Sequence, residues 1–289
     1  MLITIFTPAY NRGNLLKRLY KSLCIQELQN FEWVIVDDGS VDDTEVIVEE
    51  FKQENKIPIY YHKQQNSGKH IAINKGAEMA NGKLFFIVDS DDYLTRTATK
   101  TIEEKYKLIA DNDEYAGISG RKGYSETEYI GSKMSYEDIH ANALDFRYHY
   151  AVQGDMAEVI RTDIIRQYPF PIIENEKFCT EGILWYRVAL KYKFLWFKDI
   201  IYVAEYLEGG LSNSIVRIRK QSPNYSILFY SSLAKMPIPF KEKVKASINF
   251  WRFAKHSNKK FTEKLKMTNI LLSVITLPLG YLFAIKDNE

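Results

Sequence analysis

The sequence predicts an α/β fold: a mostly parallel sheet flanked by helices, followed by a helical, basic C-terminal extension. Strand-like and helix-like segments alternate through residues 1–95, in units of about 30 residues, which is typical of βαβ units. From Pro223 onward the pattern is helical. The 289 residues are 46% hydrophobic and 26% charged, which provides enough apolar material for a large core. We predict a large domain over residues 1–215 and a helical extension over residues 216–289.

Residues 1–95 contain four predicted strands and three predicted helices. The strands are rich in β-branched and aromatic residues, and the helices place apolar residues three or four positions apart. In chain order the segments are "LITIFTP", "GNLLKRLYKSLCIQ", "FEWVIVDDGS", "DDTEVIVEEFKQ", "IPIYYHK", "GKHIAINKGAEMA" and "KLFFIVDSDD". Parallel strands joined by helices have their carboxyl ends at one edge of the sheet, where ligands bind. The polar ends of the first, second and fourth strands should therefore meet.

Residues 96–215 continue the large domain with weaker signals. The segments "TATKTIEEKYKLIA" and "TEGILWYRVALKY" predict helices, and "YAGISG" and "KFLWFKDIIYVAEYL" predict strands. "AEVIRTDIIRQYPFP" predicts a strand, a turn and a short helix. Residues 121–150 are polar and aromatic, and we predict an irregular insertion there.

Three carboxylates follow the fourth strand in "VDSDD": Asp89, Asp91 and Asp92. Such a cluster is repulsive unless a cation neutralises it, and Mg²⁺ or Mn²⁺ prefers oxygen ligands. A cation of this kind usually completes its shell with water and substrate phosphates. We predict that Asp91, with Asp89 or Asp92, binds a metal that holds a diphosphate. The alternative is a helix N-cap with a solvated turn.

The other two strand ends also carry polar side chains. Asp37 and Asp38 in "VDDGS" can accept hydrogen bonds from a nucleotide base or a ribose hydroxyl. An Asx-turn or a helix cap explains the same two residues equally well. In "TPAYNR", Tyr10 offers a ring for stacking on a base, and Arg12 can pair with a phosphate.

A fourth motif, "NSGK", lies directly before a predicted helix. Asn66 and Gly68 precede the helix, where backbone N–H groups and the ammonium of Lys69 can meet a phosphate or a sugar hydroxyl. Within that helix, Gly76 is explained better by close packing of the helix on the sheet.

Taken in order, "TPAYNR", "VDDGSVDDT" and "NSGKHIAINKGAEMANGKLFFIVDSDD" closely resemble the nucleotide-sugar-binding half of inverting glycosyltransferases of family two, with the GT-A fold. The match covers roughly residues 1–95; each motif is weak, but the ordered set is specific. The resemblance implies a nucleotide-diphospho-sugar donor, usually a UDP-sugar, and a divalent metal, Mn²⁺ or Mg²⁺. Residues 96–215 then form the half that holds the acceptor and the general base.

The resemblance also assigns roles by position. The residues that match contacts to the base and ribose are Pro8, Ala9, Tyr10, Asp37 and Asp38. Asp89 and Asp91 match the DXD motif, whose second acid is usually at the metal and whose first acid is near the ribose or sugar. We therefore predict Asp91 as the metal ligand and Asp89 as a second ligand or a sugar contact. Asp92 is predicted to be a helix cap.

Inverting transfer needs a general base that removes the proton of the acceptor hydroxyl. In the family this base is an Asp or Glu in an acidic motif ahead of a helix, and Glu181 in "KFCTEGILWYRVALKY" matches that place. Many relatives have Glu-Asp there, whereas this chain has Glu181-Gly182. The alternative is that Glu181 is an acidic residue in the first turn of a helix, where it stabilises the helix dipole. Asp155 in "VQGDMAEVIRTD" is the second candidate base.

A loop follows the last predicted strand. "EYLEGGLSNS" resembles a flexible segment that orders over bound donor, with Arg217 or Arg219 reaching the diphosphate. A solvated loop is an equally good explanation of this composition.

The C-terminal extension combines positive charge with an apolar segment. Residues 217–266 have a net charge of +11, with 13 Lys and Arg against Glu242 and Glu263. Residues 267–285 are mostly apolar but borderline in length for a spanning helix. We predict peripheral or re-entrant association with an anionic membrane. A soluble core or dimer helix and a spanning helix are the alternatives.

The predicted function is inverting, metal-dependent transfer of a single sugar to a hydroxyl of a glycan or lipid-linked glycan. Cys24 and Cys179 are too few for a disulfide framework, and the N-terminus is strand-like. The predicted location is therefore the cytoplasm, on the inner face of the cell membrane. A nucleotidyltransferase is an alternative, but "FTPAYNRG" lacks its glycine-rich, basic loop. A non-catalytic nucleotide-sugar-binding module is another alternative, and nucleic-acid binding would leave the acidic strand ends unexplained.

Overall fold

The computed structural model describes residues 1–134, 137–205 and 215–287, so residues 206–214 of the predicted loop "EYLEGGLSNS" lie outside the described residues. The chain forms two compact units. The first comprises Met1–Pro169 with Arg187–Tyr206, and the second comprises Phe170–Tyr186 with Leu207–Glu289. Residues 170–186 therefore belong with the C-terminal helices, whereas the sequence-based division placed them in the large domain. The functional division of residues 1–215 stays a prediction.

The first unit contains the sheet and the helices that flank it. Its described strands are β1 (Ile3–Ala9), β2 (Phe31–Asp37), β3 (Ile59–Lys63), β4 (Leu84–Ile87), β5 (Tyr93–Leu94), β6 (Tyr115–Gly123), β7 (Asp138–Ala141), β8 (Met156–Arg161) and β9 (Lys193–Val203). Its described helices are α1 (Gly13–Cys24), α2 (Thr44–Glu54), α3 (Lys69–Met79), α4 (Ala98–Lys107), α5 (Ala143–Tyr148) and α6 (Thr162–Gln167).

The sheet has the order β3-β2-β1-β4-β8-β6-β9-β5, and β7 also pairs with β9. Strands β1 to β4 are parallel to one another, as the βαβ pattern of the first 95 residues predicts. Antiparallel pairs appear only with the later strands in the described residues: β8 with β4 and β6, and β5 and β7 with β9. The predicted α/β fold is confirmed, and its parallel part is the part that carries the motifs.

The helices pack on the sheet through apolar stripes. In α1, the residues Leu16, Leu19 and Leu23 are completely buried, as their helical spacing predicts. In α3, a Cβ on Gly76 would lie 2.2 Å from the ring of Phe6 on β1. The interpretation of Gly76 as a close-packing position is therefore confirmed.

The prediction of an irregular insertion over residues 121–150 is wrong. Strand β6 continues to Gly123, and β7 and α5 lie inside this range. The side chain of Asn142 caps α5 by accepting hydrogen bonds from the backbone N–H groups of Leu144 and Asp145, each at 2.9 Å. Strand β7 owes its position to pairing with β9, more than 50 residues away in sequence, which local patterning does not reveal.

The second unit is helical, as the sequence predicts from Pro223 onward. Its described helices are α8 (Ile215–Gln221), α9 (Pro223–Lys235), α10 (Phe240–Ala254), α11 (Phe261–Met267) and α12 (Ile270–Lys286), and the first residues of α7 (Gly182–Ala189) also belong to it. Glu176 fastens the 170–186 segment to α9 by accepting hydrogen bonds from the backbone N–H groups of Asn224 and Tyr225, both at 2.9 Å.

Candidate functional site

Three strand ends meet at one edge of the sheet, as the alternation of strands and helices predicts. Ala9 at the end of β1 lies beside Asp37 at the end of β2, and Phe6 lies beside Ile87 on β4. The backbone N–H of Asp38 donates to the carbonyl of Ala9 at 2.8 Å, so the loop after β2 begins directly against β1. The motifs that follow these strands therefore surround one edge.

Asp37 is buried and holds the loop after β2. Its Oδ1 accepts from the backbone N–H of Ser40 at 2.7 Å, and its Oδ2 accepts from the hydroxyl of Tyr61 at 2.6 Å. Burial, reinforced by the bond to Asp37, raises the pKa of Tyr61, which keeps the phenol protonated as a donor. These bonds match the turn interpretation of Asp37, and a contact with the base or ribose stays a prediction.

Asp38 organises the loop before α3. Its Oδ1 accepts from Gln64 Nε2 and from the backbone N–H of Ser67, both at 2.8 Å, and its Oδ2 accepts from the N–H of Gly68 at 2.7 Å. Gly68 has φ of +99°, a conformation that glycine adopts at no steric cost. Asn66 lies in the same loop. The carboxylate of Asp38 thus fixes the entry of α3, and its predicted nucleotide contact stays a prediction.

Tyr10 presents its ring at the edge of the sheet, with 49% of the residue exposed. The next residue, Asn11, has φ of +52° and clamps the loops after β1 and β2 together. Its N–H donates to Ser40 Oγ at 2.8 Å, and its Oδ1 accepts from the N–H of Val41 at 2.9 Å. Pro8 is half-buried behind this turn. Its exposure leaves Tyr10 accessible to a ligand, and stacking on a base stays a prediction.

Asp89 pairs with Lys69, whose Nζ lies 2.6 Å from Oδ1 of the carboxylate. Burial alone would raise the pKa of Asp89, but the positive charges of Lys69, Lys122 and Arg12 outweigh it and hold the pKa below its usual value. Asp89 is therefore ionised near neutral pH. The pair brings the first acid of the DXD motif and the cation of "NSGK" into direct contact.

Asp91 lies between two arginines. Nη1 of Arg12 is 3.9 Å from the carboxylate oxygen Oδ2, and Nη2 of Arg18 donates to the backbone carbonyl at 2.6 Å. Just over a quarter of the Asp91 side chain is exposed. Its carboxylate is partly exposed and makes one long ionic contact. Of the three clustered acids, Asp91 is therefore the one that can accept a metal ion.

Asp92 is not a helix cap, so that prediction is wrong. Helix α4 begins only at Ala98, and Asp92 is buried beneath the turn. Its Oδ2 accepts a short hydrogen bond from the hydroxyl of Tyr202 on β9, and its Oδ1 accepts from the N–H of Glu205 at 2.8 Å. The hydroxyl of Tyr202 also accepts from the N–H of Asp89 at 3.1 Å. Asp92 and Tyr202 therefore fix the backbone that carries the other two acids.

Burial raises the pKa of Asp92 to about 6, against the opposing effect of its bonds to Tyr202 and Glu205. Because an unfolded aspartate has a pKa of about 3.9, the native chain binds more protons between these values, and stability should fall as pH rises through that window. The Asp92→Asn variant should lack this contribution of about 3 kcal/mol. The free energy of unfolding in urea, measured for both proteins from pH 4 to pH 7, tests this. The same dependence on pH in both proteins would contradict the prediction.

Arg18, Lys122 and Tyr202 were missed by reasoning from the sequence. Arg18 reads as a solvated position of α1, yet it also pairs with Glu205 at 2.6 Å and lies over the ring of Tyr93 at 4.8 Å. Lys122 Nζ lies 4.1 Å from the centre of the Tyr202 ring. These contacts join residues far apart in sequence. No local pattern in the sequence signals them.

The two candidate bases lie in different units. Asp155 is exposed at the start of β8 in the first unit, directly after Gly154, whose φ is +96°. Glu181 is half-buried in the second unit, and its carbonyl accepts from the N–H of Leu184 at 2.9 Å as α7 begins. This place directly before a helix agrees with the predicted motif. The catalytic role of either carboxylate stays a prediction.

Within residues 1–134, 137–205 and 215–287, no three Asp, Glu, His or Cys side chains form a ready-made metal site. Mg²⁺ and Mn²⁺ do not require one, because one or two carboxylates usually suffice when substrate phosphates complete the shell. Asp89 and Asp92 are already engaged by Lys69 and Tyr202. Asp91 is therefore the carboxylate that fits such an ion best.

Acids and cations line the edge of an open α/β sheet at the carboxyl ends of its parallel strands, which is where ligands bind in this class of protein. The model of the family described as "Glycosyl transferase family 2" matches residues 4–166, which is more than half of the chain. The chain belongs to this family. The family resemblance of the sequence motifs is thereby confirmed.

Individual curated relatives are similar over part of the chain. GalNAc(5)-diNAcBac-PP-undecaprenol beta-1,3-glucosyltransferase of Campylobacter jejuni is 26% identical over 190 residues, covering 63% of this chain and 58% of that protein. Matches to the first curated relatives cover only 31–58% of those proteins, less than two thirds of their length.

Two solved structures share the fold. Staphylococcus aureus TarS 1–349 in complex with UDP-GlcNAc has a TM-score of 0.67 at 18% identity, covering 99% of this chain and 89% of that chain. Mannosyltransferase PcManGT from Pyrobaculum calidifontis, in complex with GDP-Man and Mn²⁺, has a TM-score of 0.59 at 14% identity, covering 99% and 88%. The predicted GT-A fold is confirmed.

Proposed function

We propose that this protein transfers a single hexosyl or N-acetylhexosaminyl group, with inversion, from a nucleotide-diphospho-sugar to a hydroxyl of a glycan or lipid-linked glycan. One observation carries the proposal: the exposed ring of Tyr10, the cations Arg12 and Lys69, and the acids Asp89 and Asp91 surround one edge of the sheet in a family 2 chain. The ring can stack on a nucleotide base, and the cations can pair with a diphosphate. The carboxylate of Asp91 can hold the metal ion that accompanies the diphosphate.

The donor is proposed to be a UDP-sugar. The TarS structure in complex with UDP-GlcNAc supports this choice because it shares the fold over 99% of this chain. The name of the C. jejuni relative, which acts on an undecaprenol-linked acceptor, supports a lipid-linked acceptor. For this chain both are proposals that rest on similarity.

A divalent cation, Mn²⁺ or Mg²⁺, is proposed to bind through Asp91, and the Mn²⁺ in the PcManGT complex supports metal use. Asp89 becomes a second ligand only if it releases Lys69. The bound cation neutralises charge on the leaving diphosphate. Water and phosphate oxygens would complete the ligand shell of such a cation.

The side chains of this protein supply the other parts of the reaction. Tyr10 stacks on the base, and Arg12 and Lys69 offer positive charge to the diphosphate as it leaves. Glu181 removes the proton of the acceptor hydroxyl while that oxygen attacks the anomeric carbon, and Asp155 is the second candidate for this role. Arg18 and Tyr202 hold the backbone of the acidic turn and position Asp91.

A screen of UDP- and GDP-sugars with Mn²⁺ tests the proposal. We expect release of nucleoside diphosphate from one donor, faster with a glycan or lipid-linked acceptor and suppressed by EDTA. The anomeric configuration of the product, read by NMR, should be opposite to that of the donor. Release of inorganic diphosphate would instead identify a nucleotidyltransferase. Absence of both turnover and binding with every donor would contradict the proposal.

A further inference from the structure

Helix α12 turns its large apolar side chains outward. Leu271, Val274 and Ile275 are 82%, 72% and 68% exposed, and Leu282 and Ile285 are also exposed. At 100° per residue these five positions fall within about 100° of arc, so they form one continuous stripe. Residues 270–285 contain no charged side chain. A continuous exposed apolar stripe of this kind marks an interaction surface.

The inward face of α12 is made of small residues. Ser273, Thr276, Gly280 and Ala284 are its buried positions. A Cβ on Gly280 would lie 2.6 Å from the carbonyl oxygen of Ile248, so α10 and α12 approach closely there.

This arrangement inverts the pattern of a helix on a water-soluble core, which buries its large apolar residues. Thr276 and Ser247 of α10 also share a hydrogen bond of 2.7 Å between their hydroxyls. Small and hydroxyl residues at the helix contact, with aliphatic side chains outside, are typical of helices that face lipid.

Positive charge flanks α12 in the sequence. Exposed lysines precede α12 at positions 255, 259, 260 and 266, and Lys286 ends it. Across residues 217–266 the net charge is +11. Such charge opposes the approach of a second copy of the same surface and favours anionic lipid headgroups. Exposed Phe240 and Phe261 add aromatic side chains to the same unit.

The length of α12 favours lying in the membrane interface over crossing it. Its 17 residues span about 25 Å, less than the ~30 Å hydrocarbon core. No single helix in the described part of the chain is long and apolar enough to cross a membrane. Helices α11 and α12 pass that test only together, and they are bent by 119°.

We propose that the outward stripe of α12 docks on an anionic lipid bilayer, with its aliphatic side chains in the interface and the neighbouring lysines at the headgroups. The stripe belongs to the second unit and the nucleotide-binding edge to the first, and docking of the stripe does not depend on the proposed reaction. On the cytoplasmic leaflet, which carries anionic lipid, it would hold the protein at the inner face of the cell membrane. A lipid-linked acceptor would lie in the same membrane.

Co-sedimentation of the full chain with lipid vesicles tests the docking surface. Binding is expected to vesicles rich in phosphatidylglycerol, to weaken with added salt, and to fall more than about tenfold in the Leu271→Glu/Ile275→Glu double variant. Leu108→Glu, at a position 67% exposed in the first unit, is the matched control and should bind like the unmodified protein. Lys259→Glu/Lys260→Glu should weaken binding to anionic vesicles while leaving the apolar stripe intact.

Circular dichroism spectra and melts establish that each variant is folded, so lost vesicle binding cannot be ascribed to unfolding. Unchanged vesicle binding by the Leu271→Glu/Ile275→Glu variant would overturn the proposal. It would also be overturned if the unmodified protein failed to bind vesicles and sedimented as a dimer that this variant dissociates, because the stripe would then be a subunit interface.

Discussion

Replacing Asp91 by alanine is expected to abolish metal-dependent donor binding and to lower kcat/KM by more than about 100-fold. The carboxylate of Asp91 is partly exposed and 3.9 Å from Arg12, whereas its neighbours are engaged by Lys69 and Tyr202. Without it, the cation and the diphosphate lose their proposed link to the protein. Isothermal titration with UDP-sugar, with and without Mn²⁺, measures the effect directly.

The matched control for this prediction is Asp111→Ala, which removes an exposed carboxylate from a turn of the same unit. It should keep donor affinity and the response to Mn²⁺. The Asp91→Ala protein should keep its metal-independent affinity within a few-fold, because Tyr10 and Lys69 are untouched. Equal Mn²⁺-dependent affinity in the Asp91→Ala and unmodified proteins would refute the metal role of Asp91.

The positions of the strand ends follow from local sequence. Alternation of β-type and helical segments predicts parallel strands, and parallel strands bring Ala9, Asp37 and the turn after Ile87 to one edge. Gly76 was also interpretable, because a glycine within a helix often marks close backbone approach. Each of these features can be predicted from a short segment of the sequence, without knowledge of its tertiary contacts.

The supports of the acidic turn could not be predicted in the same way. Asp92 precedes a segment with helical character and therefore resembles an N-cap, but its partner Tyr202 is 110 residues further along the chain. Arg18 has the spacing of an exposed helix position and reaches the carbonyl of Asp91, 73 residues away. Such pairings arise from the packing of β9 and α1 against the turn, which no local pattern encodes.

The orientation of the C-terminal helices also could not be predicted from local sequence. Composition identifies residues 267–285 as apolar, but it does not say which face of the helix is buried. The structure buries Ser273, Thr276, Gly280 and Ala284 and exposes the larger side chains. Because small residues permit close approach of α10, packing rather than hydrophobicity decides the face.

Replacing Glu181 by glutamine is expected to lower kcat by about 10²- to 10⁴-fold while leaving donor affinity within a few-fold. Glutamine keeps the size and hydrogen-bonding reach of the side chain but cannot remove a proton from the acceptor hydroxyl. Glu181 directly precedes α7, and its backbone carbonyl accepts the first hydrogen bond of that helix, so the exchange leaves the helix start intact. Donor affinity by titration and transfer by nucleoside diphosphate release separate the two effects.

Asp155→Asn, tested beside Glu181→Gln, decides between the two candidate bases. If Glu181 is the base, Asp155→Asn should retain transfer within about tenfold, because the exposed acid directly before β8 would then take no part in proton removal. The pH profile adds an independent criterion: the acidic limb of kcat should disappear with the carboxylate that acts as base. Near-normal transfer by Glu181→Gln, together with loss of that limb in Asp155→Asn, would reassign the base to Asp155.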